Sequence, residues 1–170
     1  MKKLILACVL CLASARFSAY ADVLSDFKEK IKAADSYFAT FYLAGEAYGD
    51  SLDCRGIIWY AKPDSVMIEL GGTYNGEIEH TLIVREGNLA IITDNGETLV
   101  MSADEAIDAG YKEIAGSPLY SFLEEMSGST SIYLYRNILI LQVKEEGQDL
   151  FFIAEIKSLC EGKEGEGKGE

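Results

Sequence analysis

Arg55-Gly56-Ile57-Ile58-Trp59-Tyr60-Ala61-Lys62-Pro63 is the stretch on which the fold turns. A glycine enters a short apolar, aromatic-rich run that stops at a basic residue followed by proline. Runs of this kind, bounded by turn formers, read as a strand. Similar runs follow closely at 65–70, 78–85, 89–93 and 97–101. Between them stand Lys62-Pro63-Asp64, Gly71-Gly72, Glu86-Gly87-Asn88 and Asp94-Asn95-Gly96, of which Asn95-Gly96 is the strongest hairpin signal. The pattern predicts an antiparallel meander rather than a βαβ chain.

Upstream, residues 22–36 carry Val23, Leu24, Phe27, Ile31 and Ala34 at three- and four-residue steps, which predicts an amphipathic helix. Tyr37, Ala39 and Phe41 then alternate as a strand, and 45–53 reads as a loop. Downstream, Ser102-Ala103-Asp104-Glu105 opens with a capping box and predicts a short helix through Asp108. Ser117-Pro118 starts a second helix, to about Met126, with Leu119, Phe122 and Leu123 on its apolar face. Strands resume at 131–135, 138–144 and 150–156, with Gly147 in the last hairpin turn. From Glu161 the chain is Gly, Glu and Lys alone, so 161–170 is expected to be disordered.

Lys2 and Lys3, an apolar run over 4–13 and Ala19-Tyr20-Ala21 make a secretory signal, with cleavage expected after Ala21. Ile5-Leu6-Ala7-Cys8 looks like a lipoprotein box, but cutting there would leave almost no apolar core in the signal. The expected product is an exported chain with one domain over 22–160. Losing Lys2, Lys3 and Arg16 takes the net charge from -13 to -16. Such an acidic chain does not suit nucleic-acid phosphates and is repelled by anionic headgroups. Two readings stand for Cys54 and Cys160: a disulfide that staples the last strand to the start of the Gly56 strand, or one buried thiol and one on the tail.

For chemistry the chain is poor. His80 is its one histidine, in a strand, without a second to share a metal or a triad partner to serve. Glu77 and Glu79 alternate on a strand expected to face solvent, and the glycines make no phosphate-binding pattern. No catalysis, metal or cofactor is expected. The apolar inventory is richer: 132–143 and 150–156 are nearly continuous, and strands apolar on both faces need covers on both sides.

Signal, amphipathic helix, aromatic strand and Gly56–Pro63, in that order, resemble the LolA family of periplasmic lipoprotein carriers. Ile83-Val84-Arg85-Glu86-Gly87 resembles the family's later hairpin, Ser117-Pro118-Leu119 the start of its lid helix, and Tyr37-Phe38-Ala39-Thr40-Phe41 its first strand. The succession covers roughly 1–157. Departures stand beside it: Lys62 replaces the family's gating arginine and loses the planar fork. Val66, Ala90-Ile91-Ile92 and Tyr42-Leu43 also differ, and the family continues for several strands past the Gly/Glu/Lys tail.

The resemblance implies an unclosed antiparallel β-barrel, mainly β with helices as a lid over an apolar cavity. Its expected wall is Phe41, Ile58, Trp59, Tyr60, Ile68, Ile91 and Phe122, with Lys62 as lid latch. The implied cargo is the acyl chains of outer-membrane lipoproteins, taken from an inner-membrane ABC transporter and passed to an outer-membrane lipoprotein receptor by a monomer. Two alternatives remain open: a periplasmic binder of free lipid on the same scaffold, and a non-carrier interaction domain with a filled interior. A one-position slip of any strand would invert its inward set.

Overall fold

Three hairpins close on two residues that are both left-handed: Tyr48-Gly49 (φ 52° and 92°), Asn75-Gly76 (51° and 81°) and Asn95-Gly96 (49° and 90°). Turns of this type match the right-handed twist of the strands they join. They set the rhythm of the computed structural model, which describes residues 21–125 and 131–161.

Helix α1 (Ala21–Ala33) leads directly into β1 (Ala34–Ala47). There follow β2 (Asp50–Ala61), β3 (Ser65–Tyr74), β4 (Glu77–Glu86), β5 (Leu89–Asp94) and β6 (Glu97–Ser102). Helix α2 (Ala103–Asp108), a 3-10 turn (Lys112–Ala115) and helix α3 (Pro118–Glu125) interrupt the meander. Strands β7 (Ser131–Tyr135), β8 (Ile138–Glu145) and β9 (Gln148–Glu161) complete it. The chain is mainly β, as expected: a single open nine-stranded antiparallel sheet with three short helices. Strand order is β6-β5-β4-β3-β2-β1-β9-β8-β7, so β9 returns beside β1 and the sheet ends at β6 and β7.

Several expectations need correction. The 45–53 loop is instead the tip of a long β1–β2 hairpin, paired from Ser36–Ala61 to Ala47–Asp50. Its turn was hidden because tyrosine rarely takes the left-handed conformation that Tyr48 adopts. Gly71-Gly72 is no turn but lies inside β3, opposite Arg55 and Cys54, and the chain reverses at Asn75-Gly76. A Cβ on Gly72 would sit 2.1 Å from the Asp53 carbonyl oxygen, so glycine here permits close backbone approach. Helix α1 ends three residues early, and the 3-10 turn carried no signal. The capping box at Ser102 forms as read, with Ser102 Oγ accepting from Glu105 N and Glu105 returning the contact. Met126, the signal segment and the tail beyond Glu161 lie outside the described residues.

Register sorts the side chains into transverse rows. On the inner face Ala39, Ile58, Ile68, Ile83 and Ile92 stand side by side across β1 to β5, all buried. Leu24, Phe27 and Ile31 of α1 and Leu119, Phe122 and Leu123 of α3 join the same core. Burying each such side chain contributes about 1.5–3 kcal/mol. The outer face carries another row, Phe38, Trp59, Met67, Val84, Ile91 and Val100, that no helix covers among the described residues.

Candidate functional site

The inner face and its helical cover form the candidate site. Phe122 of α3 lies over Phe41 with ring centroids 6.2 Å apart, and Phe152 flanks Phe41 at the same spacing. Helices α1 and α3 are tied to each other at the surface. Lys32 stands 5.5 Å over the Tyr120 ring, and Tyr120 donates a 2.7 Å hydrogen bond to Glu124. Burial lowers the pKa of the Lys28 ammonium, opposed by the charge of Glu124. The two helices therefore make one cover.

One inner row holds α3 and the 3-10 segment before it. Tyr37, Tyr60, Val66, Arg85, Ala90 and Met101 are neighbours across β1 to β6. At one end the buried Tyr37 hydroxyl shares a 2.9 Å hydrogen bond with Ser117 Oγ and accepts from Leu119 N at 3.0 Å. It satisfies one of the N–H groups that the first turn of α3 leaves open. Burial pushes the Tyr37 phenol well above its ordinary pKa, and the Ser117 and Leu119 contacts oppose the shift.

Further along the row, Arg85 uses its planar fork. Nη1 donates to the Ile114 carbonyl at 2.6 Å, Nη2 to Asp64 Oδ1 at 2.8 Å and Nε to the Gly87 carbonyl at 2.9 Å. The guanidinium thereby joins two strand turns to the 3-10 segment that precedes α3. Its side chain is only 14% exposed, a setting in which charge-assisted bonds are strong.

Lys62, the expected latch, does reach the cover. Nζ approaches the Ala33 carbonyl at the end of α1 (3.4 Å) and Asp35 Oδ1 (3.3 Å), and Lys62 N donates to the Asp35 carbonyl at 2.7 Å. Both side chains are about half exposed, so this pair contributes at most about 1 kcal/mol. Arg85 is the residue that sequence reasoning missed as a latch. The signal lay in Val84-Arg85-Glu86: on a strand whose Ile83 faces inward, Arg85 must face inward too.

Of the expected cavity wall, Phe41, Ile58, Tyr60, Ile68 and Phe122 come together on the inner face, all buried. Trp59 and Ile91 do not: both stand in the outer row, Trp59 41% exposed, because each follows an inward residue by one position. The disulfide reading is also corrected. Cys54 is buried beside Leu43 and Cys160 is exposed beside Ser36, with no bond between them. Seven residues of β1 separate those partners, about 23 Å at ~3.3 Å per residue.

The interior turns polar toward β6. Thr81 donates to Asp94 at 3.1 Å, and Glu79 and Glu113 are buried nearby, against the expectation that Glu79 faces solvent. Burial raises the Tyr111 phenol there, with Asp94 and Glu113 adding to the shift. No group of acidic, histidine or cysteine side chains with metal-binding geometry occurs among the described residues. His80 is on the outer face, paired with Glu69 at 3.1 Å beside a depression of about 370 Å³ floored by Gly56 and Ile57. A second cleft, of about 440 Å³, runs between α1 and the β7–β9 end of the sheet. Phe27, Ile31, Leu134 and Ile156 line it, with Lys30 and Arg136 at its rim. This cleft, unlike the depression, reaches core side chains of the cover.

No protein-family model matches the chain, and no characterised protein is similar enough to match it.

Proposed function

We propose that this protein is a periplasmic carrier of the LolA type, which shelters the acyl chains of lipoproteins between its sheet and its helical cover. One observation carries the reading: an inner sheet face that is apolar over most of β1 to β5 is closed by two short helices that a few polar latches hold. Each methylene kept from water is worth about 0.8 kcal/mol, so acylated cargo needs such shelter to cross an aqueous space. The closed cover is then the unloaded state, and cargo enters as α1 and α3 swing from the sheet at the cleft lined by Phe27 and Ile31. Loading exchanges Phe122–Phe41 contact for acyl–Phe41 contact, which keeps uptake and release near balance. An inner-membrane ABC transporter supplies the cargo and an outer-membrane receptor takes it.

A second reading, a non-carrier interaction domain, is favoured by the filled interior: Ile58, Ile114, Leu119 and Leu123 are all 0% exposed. Titrating residues 22–170 with a fluorescent acyl probe separates the two. The carrier binds it saturably, one to one, and a Phe41→Asp variant that remains folded loses the binding. Absence of saturable binding by the folded protein overturns the carrier reading in favour of the interaction domain.

A further inference from the structure

The sheet ends at β7, Ser131-Ile132-Tyr133-Leu134-Tyr135, and among the described residues this strand is hydrogen-bonded to β8 alone. Edge strands are normally guarded by charge, proline, a bulge or a covering element. β7 has no charge and no proline, its pairing with β8 is regular, and Tyr133, Leu134 and Tyr135 are 61%, 38% and 65% exposed.

Its pattern is also symmetric. The inward residues Ile132 and Leu134 stand one on each side of Tyr133, which faces outward. We propose that β7 pairs with β7 of a second copy, antiparallel about a two-fold axis through Tyr133, to give one continuous eighteen-stranded sheet. In this register Ile132 meets Leu134 of the second copy on the inner face and Tyr133 meets its own counterpart on the outer face. Apolar and aromatic residues then oppose their own kind across the joint.

The backbone geometry agrees. The two-residue turn after Tyr135 closes on the Tyr135–Ile138 pair, so Tyr135 and Tyr133 bond toward β8 and the Ile132 and Leu134 amides and carbonyls point to the open edge. Pairing about Tyr133 uses those outward groups. It leaves the two Tyr133 residues as a non-hydrogen-bonded pair, the closer kind, with Cα atoms about 4.5 Å apart. Pairing of β7 with β6 of another copy would instead be head-to-tail and would not close.

A five-residue joint is small beside the ~1,600 Å² of a standard interface, so the dimer is weak and depends on concentration. Two acidic copies repel at long range while the joint itself is uncharged, so salt strengthens the dimer.

Cysteine trapping tests the register. In residues 22–170 with Cys160→Ser, Tyr133→Cys under mild oxidation is expected to give a covalent dimer. Tyr135→Cys, which faces Ser131 of the second copy, is expected to crosslink at least tenfold more slowly. Both positions are exposed, so the fold tolerates the changes, and circular dichroism checks it. Equal crosslinking at the two positions, no crosslinking at either, or a ladder beyond the dimer overturns the proposal.

Discussion

Gly56 shows how one residue governs the inner face. A Cβ there would lie 2.3 Å from the Glu69 carbonyl oxygen and 2.6 Å from the Phe41 ring. The ring of Phe41 lies over the glycine it opposes on the neighbouring strand, and so covers the backbone that glycine leaves bare. Gly56→Ala is expected to cost about 1–3 kcal/mol, read as a lower urea midpoint. Phe41→Ala in the same chain does not restore it, because the closer obstacle is backbone; recovery would place the constraint in the ring alone. Arg85 and Lys62 make a matched comparison. Arg85→Lys keeps the charge but loses most of three hydrogen bonds and is expected to cost about 1–3 kcal/mol. Lys62→Ala costs under about 1 kcal/mol. The reverse order would mean that Lys62 is the main latch.

At the scale of elements, α3 is held through Tyr37. Tyr37→Phe leaves the buried Leu119 N–H without its acceptor and is expected to cost about 1–3 kcal/mol. The phenol also sets a pH dependence. An unfolded tyrosine ionises near pH ~10, and the folded Tyr37 ionises higher because it is buried. Above pH ~10 the native state therefore binds the more protons, and stability falls as pH rises. The urea midpoint should drop above pH ~10 in the wild type and drop less in Tyr37→Phe; parallel curves would remove Tyr37 as the source. Much of this was legible in the sequence. Alternation, Asn95-Gly96 and the capping box at Ser102 located most strands and α2, since those signals act within a few residues. Facing was less legible: Trp59 and Ile91 look like wall residues by type, yet the two-residue period of a strand puts them outside. Arg85 as a latch depends on a carbonyl 29 residues away, which no local pattern encodes.

For the whole molecule the proposed carrier role implies an equilibrium between a closed cover and an open one that admits acyl chains. Variants that weaken the latches raise the open fraction and so the apparent affinity for an acyl probe. Arg85→Lys and Tyr37→Phe are expected to bind such a probe several-fold more tightly while melting at lower urea. Tighter binding without loss of stability, or loss of both, would separate the latches from access. An exposed outer row containing Trp59 and Val100 remains beside the covered inner face, and the proposed carrier role rests on the inner face alone. Release of a lipoprotein from membranes is the direct test of the proposed carrier role. Residues 22–170 are added to spheroplasts that display a newly made outer-membrane lipoprotein, with the cognate transporter present. Lipoprotein in the supernatant, as a one-to-one complex with this protein, is the expected result; lipoprotein that stays on the membrane while the folded protein remains in solution would overturn the carrier role.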